Sequence, residues 1–283
     1  FPAAIKTTAE YFPKKDRAFS TSIWNAGATV GALAAPLTIP FIAKSMGWEW
    51  AFIIIGALGF VWMGLWVFVY KKPHLHKRVN EHELTYINQD QDDLPNEDTS
   101  VPEKVFTFKE CFSYRQTWAF AFGKFMTDGV WWFFLFWTPA YLSSVYGMDS
   151  TQSALPLFVL YMITLLSIIG GWLPKYFVEK LGMNAYTGRM KAMLIFAFFP
   201  LLALLAQPLG TITYWLPVLI IGVAGAAHQA WSANIFSTVG DMFPKKAIAT
   251  ITGIGGMAGG IGSFIINKSS GVLFDHAHKA WST

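Results

Sequence analysis

Asp, Glu, Lys and Arg are absent from long stretches of this 283-residue chain: residues 18–43, 51–70, 129–148, 150–174, 192–240 and 247–267. A helix that crosses the hydrocarbon core of a bilayer needs roughly 20 apolar residues. Each run is long enough to cross once, and 192–240 is long enough to cross twice, with a turn at Gln207-Pro208-Leu209-Gly210-Thr211. Backbone N–H and C=O groups in lipid must pair within their own segment, so the runs predict helices. No strands of about 10 residues with alternating polarity, the mark of a membrane barrel, occur. The expectation is an all-α polytopic membrane protein with seven complete spans and one partial span. Residues 1–12 read as the tail of a helix, without the basic n-region of a signal peptide. The last span is expected to end near Phe274, followed by a loop at Asp275-His276-Ala277-His278-Lys279. The whole reads as a fragment of a longer membrane protein.

Composition agrees. The chain is 54% hydrophobic, 17% aromatic and only 13% charged, with mean hydropathy +0.40. A soluble domain averages about 25% charged residues. One cysteine, Cys111, excludes an intrachain disulfide and a Cys-based zinc site. The net charge of +4 matters less than its placement. Lys14, Lys15 and Arg17 follow the first helix, and Lys71, Lys72, Lys77 and Arg78 follow the third. Lys175, Lys180, Arg189 and Lys191 lie between the fifth and sixth, and Lys245 and Lys246 between the seventh and eighth. The alternate loops hold little charge. The positive-inside rule makes the basic set cytoplasmic.

The polar stretch 71–114 contains Asp90, Asp92, Asp93, Glu97, Asp98 and Glu103 with Pro95 and Pro102. It reads as a solvated cytoplasmic connector rather than a regulatory segment. His74/His76 and His276/His278 are short-spaced pairs without carboxylate or Cys company, so no metal is expected.

The chain also repeats itself. Thr8-Ala9-Glu10-Tyr11-Phe12-Pro13-Lys14-Lys15 resembles Val239-Gly240-Asp241-Met242-Phe243-Pro244-Lys245-Lys246, and the match continues at Ala18/Ala249, Thr21/Thr252, Ile23/Ile254 and Gly31/Gly262. Both copies lie on the same side by the charge pattern. Parallel halves joined by a long central loop are the architecture of major facilitator transporters. The expected division is residues 1–70 as the end of the N-terminal bundle (helices four to six), 71–114 as linker, and 115–283 as the C-terminal bundle (helices seven to eleven of twelve).

Specific segments carry a family resemblance. Residues 1–6, Phe12-Pro13-Lys14-Lys15-Asp16-Arg17-Ala18, Asn25-Ala26-Gly27-Ala28, Gly47-Trp48, residues 123–132, residues 228–234 and residues 252–260 resemble the anion:cation symporter branch of the major facilitator superfamily, hexuronate (glucuronate/galacturonate) transporter subgroup. The resemblance implies proton-driven uptake of a sugar acid across the bacterial inner membrane, with the proton as coupling ion and no other cofactor. The family's anion-pairing arginine and coupling acids lie mainly on helix one and early in helix four, before Phe1. The wider family's loop motif between helices eight and nine carries an Asp that Gly171-Trp172-Leu173-Pro174-Lys175 lacks, so no gating ion pair is expected there. Met257 stands near the position where related symporters have an amide.

Within the spans, few polar residues stand out. Lys124 and Asp128 are four apart and share a helix face. A charge at the bilayer centre costs roughly 2.5–3.5 kcal/mol on insertion scales, so both must face protein or water. Lys124 meeting a carboxylate and Asp128 taking a hydroxyl or a proton is one reading; a self-neutralising pair is the other. Trp132, one turn beyond, is the candidate for stacking on a pyranose ring. His228, at mid-span, can bond a carboxylate or hydroxyl, with Trp231 and Ser232 one turn on. Asn25 can bond sugar hydroxyls or a neighbouring helix, and Asn234 is assigned to interhelical bonding. Lys6/Glu10 and Asp241 are read as helix-end charges. Gly27/Gly31, Gly255/Gly259 and Gly256/Gly260 have the spacing for close helix approach.

The function expected is alternating-access import of a hexuronate by a monomer, with no catalytic or metal site and no nucleic-acid partner. The alternative substrate is another organic anion, an aldonate or aldarate. A membrane enzyme would need His and acid residues to cluster, and a channel would not need the repeat.

Overall fold

The computed structural model describes residues 2–89, 107–149 and 151–281. The linker acids Asp90, Asp92, Asp93, Glu97, Asp98 and Glu103 and the side chains of His276 and His278 lie outside the described residues. The elements are α1 (Pro2–Tyr11), α2 (Lys14–Met46), α3 (Trp48–Val69), α4 (Glu81–Asn88), α5 (Phe108–Cys111), α6 (Arg115–Tyr146), α7 (Ala154–Thr164), α8 (Ile169–Leu181), α9 (Ala185–Phe198), α10 (Ala206–Gly210), α11 (Trp215–Met242) and α12 (Lys245–Trp281). Short 3₁₀ turns fuse α7 to α8 and α9 to α10. No strand occurs among the described residues. The chain is a multi-pass membrane protein.

Six helical stretches are long and apolar enough to cross a membrane. The seventh expected span, α6, has 32 residues, about 48 Å at 1.5 Å per residue. It is long enough, but its charge-free part is rich in Trp and Tyr (Trp131, Trp132, Trp137, Tyr141 and Tyr146), which makes it less apolar than the other spans. The tight α2–α3 corner turns on Gly47 alone, whose φ of 100° disfavours any side chain.

One expectation is corrected. Residues 275–279 are not a loop, because α12 runs on to Trp281. Polar residues alone do not end a helix, and no Gly or Pro lies between Gly271 and Trp281. The charge-free run 150–174, the fourth complete span, ends at Pro174, and that proline lies inside α8. Proline cannot donate to the carbonyl four residues back, and that of Gly170 is claimed instead by Asn234 Nδ2 of α11 at 2.6 Å. A neighbouring helix thus supplies the hydrogen bond that proline removed. The approach is close: a Cβ on Gly170 would sit 2.5 Å from Ala230 Cα, and one on Gly171 would sit 2.6 Å from the Ala18 carbonyl of α2.

The repeated motif makes the same corner twice. The amide of Phe12 bonds the Thr8 carbonyl at 3.0 Å and that of Phe243 bonds the Val239 carbonyl at 3.1 Å. The amide of Asp16 then bonds Pro13 at 3.0 Å, and that of Ala247 bonds Pro244 at 2.9 Å. Each corner is thus a helix end, an aromatic, a proline and a new helix.

Helix α11 is the hub, packing on α2, α6, α7, α8, α9 and α12, while α6 lies along α12. Most of α11 is buried. Helix α3 packs on α2 and exposes Phe52, Phe60, Trp62 and Phe68, as a lipid-facing helix does. Close approach at small residues holds for part of the expected set. A Cβ on Gly255 would strike the Phe120 ring, and one on Gly259 would strike the Asp128 carboxylate. At Gly27, Gly31, Gly256 and Gly260 no described atom lies within 4 Å of such a Cβ. Gly31, Gly256 and Gly260 line cavities instead, where their lack of a side chain widens the space.

Candidate functional site

Helix α2 meets α11 along a polar ladder that starts at the lysine-rich helix ends. Arg17 donates to the Gly240 carbonyl at 2.7 Å and lies 3.5 Å from Asp241. Ser237 Oγ donates to Thr21 Oγ1 at 3.0 Å. Asn25 Nδ2 donates to Gln229 Oε1 at 3.1 Å. Arg17, Thr21 and Asn25 are spaced by four, so they share one face of α2.

Around the first rung the basic end is closed by charge. Asp241 also pairs with Arg189 of α9, and Arg189 donates to the Lys14 carbonyl at 2.5 Å. Lys175 of α8 pairs with Asp16 of α2 at 2.7 Å. Asp241 is therefore more than the helix-end charge expected, and the expectation of no ion pair at 171–175 is corrected: the partner acid stands on α2, not in the motif. Lys6 and Glu10 are only 4.0 Å apart with Lys6 half-exposed, and Glu10 accepts a 2.5 Å bond from Tyr70. Outside the spans, burial and that bond push the Tyr70 hydroxyl up to about 12. Cys111 is fully buried in the same region, in a cluster with Ile5, Ala9, Phe243 and Ala247.

Beyond the last rung a cavity of about 470 Å³ opens, within the range of small-molecule sites. Asn25, Lys124, Asp128, Trp132, His228 and Ser232 all line it, together with Trp131, Gln229 and Thr252. Lys124 is 3% exposed; its ammonium is 2.5 Å from Asp128 Oδ1 and 4.0 Å from the Phe236 ring centre. Asp128 fits only because the facing residue on α12 is Gly259. His228 Nε2 is 2.8 Å from the Thr127 carbonyl, which can only accept, so Nε2 carries a proton. The Trp131 ring lies nearly parallel to the imidazole, at 13°. A second cavity of about 570 Å³, walled by Gly31, Ala35, Trp131, Trp132 and Tyr161, continues toward the end of α2 away from the lysines.

Trp231 is the member of the expected set that the cavity does not include. It packs into the core on the side of Gly123. From His228, Ser232 lies about 40° round the helix and Trp231 about 60° the other way. The cavity is on the Gln229–Ser232–Phe236 side. Met257 is 62% exposed and Gly253 and Gly256 face the cavity in its place. Gln229 was missed, although an amide inside a charge-free span is itself a signal.

What can this arrangement do? A buried ammonium beside a carboxylate, amides, a hydroxyl and indole faces can bind an anion that carries hydroxyl groups. Among the described residues no group of His, Cys, Asp and Glu could hold a metal ion.

The sequence profile described as Major Facilitator Superfamily matches residues 1–266. The Hexuronate transporter of Escherichia coli K12 is 29% identical over 279 residues, covering 97% of this chain and 62% of the relative. The Galacturonate transporter of Dickeya chrysanthemi is 28% identical over 189 residues, 66% of this chain and 54% of its own. The D-galactonate transporter of Escherichia coli O6:H1 is 26% identical over 285 residues, 96% of this chain and 64% of its own. The chain spans less than two thirds of the length of each of these relatives.

Proposed function

We propose a function from one premise: this chain belongs to the Major Facilitator Superfamily. The reading is a secondary transporter that imports a hexuronate together with a proton across the bacterial inner membrane, as a monomer, with the linker and the lysine-rich helix ends in the cytoplasm. Residues 1–70 and 115–283 belong to two bundles that rock about the central cavity. The observation that carries the reading is the buried Lys124–Asp128 pair inside a cavity, with ion pairs between α2, α8 and α11 at the lysine-rich helix ends. The names of the hexuronate and galacturonate relatives support the substrate class.

The coupling follows from electrostatics. In the empty site one carboxylate, Asp128, neutralises Lys124. A substrate carboxylate arriving at Lys124 puts two carboxylates on one ammonium. Like charges at this separation disfavour double ionisation, so one proton is taken up. Asp128 accepts it and leaves Lys124 to the sugar acid. Gln229, Asn25, His228 and Ser232 take the hydroxyls, and Trp131 or Trp132 covers a ring face. The loaded site is then electrically close to neutral, which lowers the cost of carrying it through the closed intermediate. A second reading, an aldonate or aldarate, is favoured by the D-galactonate relative.

The test uses full-length protein in proteoliposomes with radiolabelled glucuronate and galacturonate. Uptake is expected only with an inward proton gradient, and Lys124→Ala abolishes it. Uptake indifferent to a protonophore, or full affinity in Lys124→Ala, overturns the reading.

A further inference from the structure

The segment after α3, read from sequence as a passive connector, is fastened to the basic end at several points. Tyr70 donates to Glu10 at 2.5 Å, and the Tyr11 hydroxyl bonds the Lys71 carbonyl. Helix α4 then starts at Asn80, whose side chain accepts from the Glu83 amide at 2.7 Å. In the last turn of α4, Tyr86 donates to Asp16 Oδ2 at 2.5 Å. Asp16 Oδ1 is the atom that holds Lys175. The ammonium of Lys15 lies 4.8 Å from the Tyr86 ring centre, and Ile87 beside it is buried.

Two donors from different elements thus share one carboxylate. The bond to Asp16 raises the Tyr86 hydroxyl above its ordinary range, so at neutral pH it stays protonated and donates. A carboxylate held at one oxygen cannot swing freely at the other. We propose that α4 is a latch on the cytoplasmic seam: Tyr86 fixes the Asp16 carboxylate in the position that receives Lys175, so that undocking α4 loosens the closed side of the transporter. The proposal rests on reading the α2–α8 seam as that closed side. It gives the linker a conformational role beyond tethering, and it makes the docking of α4 a point at which transport is set from the cytoplasm.

Cys111 supplies the reporter, since it is buried at the same end against α1 and α12. In full-length protein with any other cysteine replaced, the rate of Cys111 labelling by a soluble maleimide is measured for Tyr86→Phe, Asp16→Asn and the double variant. Tyr86→Phe keeps the ring over Lys15 and removes only the donor. About fivefold to tenfold faster labelling is expected for Tyr86→Phe and at least as much for Asp16→Asn, with the double variant no faster than Asp16→Asn. A separate, merely structural role for Tyr86 makes the two effects multiply, which overturns the latch. Wild-type labelling in Tyr86→Phe also overturns it. If Asp16→Asn labels at the wild-type rate, the seam itself is wrong and the latch falls with it. Loss of hexuronate uptake is a separate readout, so a wrong substrate leaves the latch standing.

Discussion

Asp241 is the acid whose loss should change the conformational balance most. It sits between Arg17 and Arg189, and the three side chains are at most 9% exposed. At 3.5 Å and an effective dielectric constant near 20, the Arg17–Asp241 attraction is about 5 kcal/mol. Removing one partner of a buried pair typically costs about 3–5 kcal/mol. Arg17 keeps bonds to the Gly240, Phe12 and Ala9 carbonyls, which softens the loss. The pairing of Asp241 with Arg189 joins α9 to α11 and persists when the two sides part. The differential cost to closure of the lysine-rich side is therefore about 2–4 kcal/mol, a shift of roughly 30- to 1,000-fold. Asp241→Asn keeps the shape and removes the charge. Maleimide labelling of Cys111 in the full-length protein should accelerate by that factor, and saturating sugar acid should change the rate less than in wild type. A labelling rate within twofold of wild type refutes the assignment of Asp241 to the seam. So does acceleration accompanied by loss of the cooperative thermal transition, which would make Asp241 a folding residue.

Two further outcomes follow from the same geometry. Asn234→Val leaves the Gly170 carbonyl without the donor that Pro174 cannot supply, at a cost of about 1–2 kcal/mol in thermal unfolding. In a Pro174→Ala background, where the helix can bond itself, the same substitution should cost less than half as much; equal costs would contradict the repair. Gln229→Leu removes the amide facing Asn25 and should weaken binding of glucuronate about tenfold while leaving a carboxylate without hydroxyl groups unaffected. Parallel weakening of both would assign Gln229 to packing alone.

How far the sequence could be read depended on which physical signal marked each feature. Long charge-free runs mark spans because lipid penalises every charge, and each run falls on helix, although α6 starts well before its run and α12 continues well past its own. The corner around Phe12-Pro13 and its mate at Phe243-Pro244 was legible because identical backbone bonds need similar residues. Lys124, Asp128, His228 and Ser232 were found because polar groups inside spans are costly and few. Pro174 could not be read locally: its effect on α8 depends on Asn234, sixty residues away on another helix. Lys175 and Arg189 looked like loop charges and Asp241 like a helix-end charge, since charge count near a helix end carries no information about partners. Trp231 and Ser232 are adjacent in sequence, and only the packing of α11 decides which of them reaches the cavity. Tyr86 gave no signal at all, because one tyrosine in a polar linker is unremarkable until Asp16 stands opposite.

The central claim is that Asp128 takes up a proton as a sugar acid reaches Lys124. Adding glucuronate to full-length wild-type protein in weakly buffered detergent solution should raise the pH, as protons leave the medium for the protein. Asp128→Asn should still bind glucuronate but leave the pH unchanged. Undiminished proton uptake in Asp128→Asn, or glucuronate binding to wild type with no proton uptake, would contradict the account.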